Sequence, residues 1–253
     1  MSGPSHSGHD YARLLSAWRE AAQSDGLHLD TLYEVGGHPV IVVENDRSRA
    51  NEPGGLYVSA GIHGDECAPV WGLLEWVAGN PPALRDRPVM IFPCLNPVGL
   101  IDNTRRDGFG VDLNRSFSDT ANPLIDAWQK RLEGRCFDIS VNLHEDYDCT
   151  GIYLYELSRD EARGDSLLAA CEGIIPRESA SEIDGSDFQN GVLVRTSEIE
   201  QIVEEKLGGS YPEAILLFLK YARYSYTFET PSEFDLPRRI AAQRAFLEAV
   251  TEG

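Results

Sequence analysis

The chain has 253 residues, of which 42% are hydrophobic and 25% charged, and a formal net charge of −19. These values fit one soluble α/β domain with a sizeable core, or at most two small ones. The acidity argues against a nucleic-acid partner, whose phosphates repel it, and no apolar run approaches the ~20 residues needed to span a membrane.

Residues 1–9 are small and polar and read as a disordered tail before a single domain over 10–253. The segment lacks the basic start and apolar stretch of a signal peptide. Apolar residues at helical spacing predict a helix over 11–23. Valine- and isoleucine-rich segments follow, with a turn at NEPGG (51–55). A buried strand is expected over 55–62 and a helix over 67–79, with Pro69 tolerated in its first turn. The next strand spans 87–97, and a loop leads into VDLNRSF. Asn122-Pro123 opens a helix to about residue 134. Strands are expected over 137–145 and 151–157, and a helix over 160–173. Residues 176–214 mix Ser, Asp, Gly and Glu, and read as a long loop or small β-insertion near a pocket. A late strand over 220–232 and a final helix over 237–250 complete the chain. The alternation of strands and helices predicts an α/β layer fold with a mostly parallel sheet.

The five cysteines (Cys67, Cys94, Cys136, Cys149 and Cys171) are odd in number and contain no CxxC. They suggest a reducing compartment, hence the cytoplasm. Cys67, beside Glu66, reads as a packed thiol.

Chemistry concentrates in a few short runs. His63 and Glu66 lie in AGIHGDE and His144 in VNLHEDY. Two imidazoles and a carboxylate are a ligand set for a catalytic zinc with one open position. Gly64 permits the turn that brings His63 and Glu66 together. His63, His144 and Glu229, in YSYTFETPS, all fall at predicted strand C-terminal ends, where α/β sheets bind ligands. Of the other histidines, His6 and His9 fall in the tail, and His28 and His38 read as structural. Glu229 is the candidate general base, unless its strand turns it to solvent. In GVDLNRSF, Arg115 offers a bidentate fork to a substrate carboxylate and Asn114 an amide donor. Asp112 is suited to orient His63 through its second ring nitrogen. Arg105 or Arg106, in NTRRDG, would face the scissile carbonyl oxygen.

The set HGDE, GVDLNRSF, LHED and YTFETPS, spanning Gly61 to Ser232, resembles the zinc carboxypeptidase family, which includes pancreatic carboxypeptidase A. The resemblance implies a three-layer α/β/α sandwich around a mixed, mostly parallel eight-stranded sheet. It implies one zinc ion on His63, Glu66 and His144, with Glu229 as base and Asn114 and Arg115 on the substrate's terminal carboxylate. The carbonyl-polarising arginine matches Arg105 best by its distance to GVDLNR, with Arg106 a close second. The substrate would be a small peptide, or an N-acyl amino acid, with a free carboxylate. The motif ends NRSF where the family usually has NRNF, and the short chain resembles compact bacterial members such as murein-peptide amidases. The family's substrate-covering tyrosine has three candidates, Tyr211, Tyr221 and Tyr224. The floor of a specificity pocket is expected between Ile183 and Tyr226. Two rival readings remain: a deacylase like aspartoacylase or succinylglutamate desuccinylase, and a catalytically inactive binding protein on the same fold.

Overall fold

The computed structural model describes residues 8–252. The expected tail, with His6, falls outside them for residues 1–7, but Gly8 and His9 are docked. The Trp71 indole donates to the Gly8 carbonyl at 2.8 Å, and His9 Nδ1 donates to the Leu100 carbonyl at 3.0 Å.

Helix α1 (Tyr11–Asp25) starts where Asp10 accepts the Arg13 amide, and stops at Gly26 in the left-handed region. A hairpin of β1 (His28–Val35) and β2 (His38–Glu44) follows, then a short α2 (Asp46–Arg49). Next come β3 (Leu56–Ser59), α3 (Cys67–Ala78), α4 (Ala83–Asp86) and β4 (Val89–Phe92). The strand expected to run to residue 97 ends at Phe92; Asn96 caps α5 (Pro97–Asp102), which enters the predicted loop, and a single 3₁₀ turn covers Leu113–Arg115. Asn122 caps α6 (Pro123–Leu132), which precedes β5 (Phe137–Asp146), β6 (Tyr153–Ser158) and α7 (Gly164–Ala169).

Residues 176–214 are more ordered than a loop. They hold β7 (Glu182–Ile183), β8 (Ser186–Asp187), β9 (Val192–Arg195) and α8 (Ile199–Leu207), and run into α9 (Glu213–Lys220). The chain closes with β10 (Ala222–Pro231) and α10 (Leu236–Glu252).

Eight strands form one sheet in the order β1-β2-β4-β3-β5-β10-β6-β9, and β7 and β8 make a separate ribbon. The β3–β4, β3–β5, β5–β10 and β6–β9 pairs are parallel, and the other three antiparallel. One face packs on α1, α3, α7 and α10 through residues such as Trp18, Trp76 and Phe246. The other packs on α6 and α9 through Trp128, Leu216 and Leu217. This is the expected three-layer α/β/α sandwich around a mixed sheet. The centre of the sheet is buried on both faces, so its strands read as near-continuous apolar runs.

Strand alternation sets the site's position. In β10, Tyr226 and Phe228 join the core under α10, which places Ser225, Thr227 and Glu229 on the α9 face. In β5, Val141 and Leu143 face α10 and put Asn142 and His144 on the α9 face. All five cysteines are free thiols, buried except Cys136, and Cys67 is a packed thiol as expected.

Candidate metal centre and active-site cleft

Glu66 is the hub of the site. One carboxylate oxygen meets His63 Nδ1, and the other lies 2.9 Å from His144 Nδ1. The three ligand atoms lie within 4.8 Å of one another, and all three residues are buried. No other such cluster occurs among the described residues. Burial by itself would push His63 down, but the Glu66 carboxylate, with Asp112, lifts it to about 9. Burial works against the charge on Glu66, and the two imidazoles outweigh it and hold its carboxyl down at about 2. An anion sandwiched between two imidazole nitrogens is a donor set that a divalent cation fits.

The chain reaches this geometry through two tight passages. Gly61, at φ +60°, turns the segment after β3. Gly64 serves a different purpose from the flexible turn expected of it. A Cβ there would sit 1.8 Å from the Gly99 carbonyl carbon and 2.2 Å from the Leu100 nitrogen. Glycine is needed because α5 backbone passes against it.

Asp112 faces His63 Nε2 at 3.4 Å, long for a hydrogen bond but on the ring nitrogen away from Glu66. Its other oxygen accepts from Arg105 Nε at 3.1 Å. Burial opposes ionisation of Asp112, yet His63 and Arg105 hold its carboxyl well below the usual range. Arg105 Nη1 lies 3.2 Å from His63 Nδ1 and 3.8 Å from Glu66, so Arg105 faces the centre. Arg106 does not. It is exposed and donates to the Gly110 carbonyl of its own loop at 2.9 Å. Two adjacent arginines point opposite ways, and only the loop geometry decides which enters the site.

Glu229 pairs in register with His144 across β5 and with Tyr153 across β6. It is buried, so the solvent-facing alternative fails, and its Oε2 has no hydrogen-bond partner. Burial first, then the negative charges of Glu66 and Asp146, hold its carboxyl well above the usual range, against the pull of His144. Glu145, next to His144, points the opposite way. Its carboxylate accepts from Arg239 at 2.6 Å and from the Ala68 amide at 2.8 Å.

These groups open into a cleft of about 490 Å³, which Asn114, Arg115, Tyr153, Tyr155 and Thr227 also line. Arg115 is exposed and donates to the Asn114 carbonyl at 2.9 Å. Asn114 is fixed by a residue that the sequence did not single out: its Oδ1 accepts from the Glu213 backbone amide at 2.9 Å. The Glu213 carboxylate is fully buried and accepts from the hydroxyls of Tyr57 and Ser59. A lone acidic residue opening the apolar run EAILLFLK was the available signal.

The three tyrosine candidates are displaced by the structure. Tyr211 and Tyr221 pack at the edge of the α6–α9 core, and Tyr224 stacks on Tyr226. Tyr153 and Tyr155 face the cleft instead, and their i, i+2 spacing in GIYLYEL put them on one strand face.

Comparison with known proteins decides the architecture. A metallopeptidase-like protein of Shewanella denitrificans superposes with a TM-score of 0.82 at 22% identity, over 96% of this chain and 89% of the other. One from Shewanella amazonensis gives 0.81 at 24% identity, covering 96% and 92%. The metallo-carboxypeptidase of Pseudomonas aeruginosa, bound to (2-guanidinoethylmercapto)succinic acid, gives 0.67 at 17% identity, covering 96% and 67%. The fold is that of the metallocarboxypeptidases. Residues 54–152 also match the family model of the succinylglutamate desuccinylase/aspartoacylase catalytic domain. No curated protein matches the sequence. The carboxypeptidase resemblance read from the motifs is thus borne out in the fold. The desuccinylase match covers the segment carrying His63, Glu66, Arg105, Asn114, Arg115 and His144, and stops short of Glu229. No described helix is long and apolar enough to cross a membrane.

Proposed function

We propose that this chain is a zinc-dependent hydrolase that cleaves an amide bond next to a free carboxylate, in the manner of a carboxypeptidase. The observation that carries the reading is the placement of Glu229, buried and unpartnered, in register with a metal-type ligand and facing the same cleft. His63 and His144, through Nδ1, and the Glu66 carboxylate would hold one zinc ion. When bound, zinc supplies an electrophile and lowers the pKa of a coordinated water toward ~7.

The remaining steps belong to the chain's own residues. Asp112 keeps His63 oriented through the nitrogen away from Glu66. Asn114 and Arg115 receive the substrate's free carboxylate, and that grip aligns the scissile amide with the centre. Arg105 lies where negative charge develops on the carbonyl oxygen and stabilises it. Glu229 takes the proton from the attacking water and returns it to the departing amine. A carboxyl held above its usual range is suited to doing both. Arg106 has no part in this scheme.

A second reading, an N-acyl amino acid deacylase, is favoured by the family model over residues 54–152. The same groups would act, with the amino acid as the leaving amine. Zinc-loaded protein, offered blocked dipeptides and N-acyl amino acids, should hydrolyse one class. C-terminal amidation of dipeptides should abolish their cleavage, and Arg115→Ala should slow hydrolysis roughly ten- to a hundredfold, the worth of a charge-assisted contact. No hydrolysis of either class would favour the inactive binding protein instead.

A further inference from the structure

Behind the metal centre, on the face of the sheet away from the cleft, a second polar cluster is sealed in the core. Gln243 of α10 and Glu145 of β5 are buried, and Arg239 of α10 largely so. The layer between α10, α3 and the sheet is otherwise filled by residues such as Val70, Phe228 and Phe246. Buried polar groups are costly unless bonded, and these are bonded to the backbone that carries the site.

Gln243 Nε2 donates to the His144 carbonyl at 2.7 Å and to Thr230 Oγ1 at 3.0 Å. The N–H of that same peptide group, on Glu145, donates to Glu66 Oε2 at 3.2 Å. One peptide unit thus links the Gln243 amide to the Glu66 carboxylate, and hydrogen bonds in such a chain polarise one another. A second line approaches Glu66 from α3. Arg239 Nη1 donates to Glu145 Oε1 at 2.6 Å, and Glu145 Oε2 accepts from the Ala68 amide at 2.8 Å. Ala68 lies in the first turn of α3, where amides lack a partner within the helix. The residue before a helix commonly supplies that partner from its own side chain. Here that residue is Glu66, which makes no capping bond because its oxygens face His63 and His144. Glu145 caps the helix in its place. Gly72 lets α10 close on α3, since a Cβ there would lie 2.5 Å from Gln243 Cβ.

We infer that Gln243 and Arg239 are positioning residues. From α10 they fix the His144–Glu145 peptide and the start of α3, and so hold Glu66 and His144 in the arrangement a metal ion needs. This rests on the reading of His63, Glu66 and His144 as the ligands. Thr230 follows Glu229, so the Gln243 amide also ties down the strand end that carries the base. No residue of α10 lines the cleft, and the helix acts on the centre only through these contacts.

Metal-buffered zinc titration of the whole protein tests this, with the melting temperature of the metal-free form taken on each preparation. Gln243→Met keeps the length of the side chain and removes its donor. Its zinc affinity should fall roughly ten- to a hundredfold, the usual effect of losing an outer partner of a metal ligand. At saturating zinc, calorimetric binding of the probe N-acetyl-L-alanine should be unchanged, because the carboxylate grip lies elsewhere. A purely structural contact would lower the melting temperature and leave the zinc affinity of the folded protein as it was. Arg239→Met should also weaken zinc binding, and Arg239→Lys, which keeps a cation on Glu145, should restore most of it. A folded Gln243→Met that binds zinc as tightly as wild type, or an Arg239→Lys as weak as Arg239→Met, would overturn the inference. The Arg239 pair carries the test should Gln243→Met fail to fold. Wild-type protein that takes up no zinc removes the metal reading and this inference with it. Variants that match a zinc-binding wild type remove only the positioning role.

Discussion

Replacing Glu229 by Gln separates chemistry from fold. The amide matches the carboxylate in size, so the packing around β10 and the neighbouring His144 should survive. Its Oε2 has no hydrogen-bond partner to lose. The variant can neither accept nor return a proton, and general acid–base transfer is worth about 10² to 10⁴-fold. At about 1.4 kcal/mol per tenfold, kcat should fall by an amount equivalent to roughly 3–5 kcal/mol of barrier. Stability should move the other way. Burial, Glu66 and Asp146 raise the carboxyl above its unfolded value, so its contribution is present in full at low pH and is lost as pH rises through the folded value. The metal-free Gln variant should therefore lose less stability than wild type between acid and neutral pH. The assay is kcat for the best substrate, with zinc content, probe affinity and melting temperature from one preparation. A variant that holds zinc, binds substrate and keeps more than about a tenth of wild-type kcat, far outside the expected loss, would refute Glu229 as the base.

Other perturbations address the frame of the site. His144→Ala should lose the stoichiometric zinc that elemental analysis finds in wild type, and full occupancy in the variant would remove His144 from the ligand set. Gly64→Ala should cost about 1–3 kcal/mol or more, because its Cβ meets Gly99 and Leu100 backbone rather than a side chain that can move. A melting temperature within a degree of wild type would show that the passage is looser than its contacts imply. Asp112→Asn should weaken zinc binding roughly ten- to a hundredfold, the usual effect of losing a carboxylate behind a ligating imidazole. Metal-buffered titration would measure it, and unchanged affinity would make Asp112 a partner of Arg105 alone.

The His-Glu-His cluster and the layer order were legible because both depend on residue type and short-range pattern. His63 follows β3 and His144 lies near the end of β5, strands whose apolar runs are hard to mistake, and Glu66 stands just before α3. Asp112 could be assigned to His63 because a carboxylate so close to the DLNR turn had little else to do. Arg105 and Arg106 could not be separated, since neighbours in a loop differ only in backbone direction. The helices α8 and α9 were missed for another reason. Their stability comes from tertiary contacts, with Ile199 and Phe218 closing on Leu157; local polarity hid the pattern of α8, while α9 is a short apolar run without a clear period. Tyr153 and Tyr155 were visible as an alternation, but nothing local told which face of β6 the cleft would occupy.

The reacting groups and the far wall of the cleft are built from different material. The former sit on central strands buried on both sides. The latter rests on the edge strand β9, the β7–β8 ribbon and α8, which buries only Ile199 and Val203. Such a segment opens at a lower free energy than the sheet beneath it. Its amides should exchange with solvent deuterium while those of β3, β5 and β10 stay protected. Changes confined to residues 182–207 are then free to retune what the cleft accepts without disturbing the centre that cuts, and selectivity in this fold can drift faster than its chemistry.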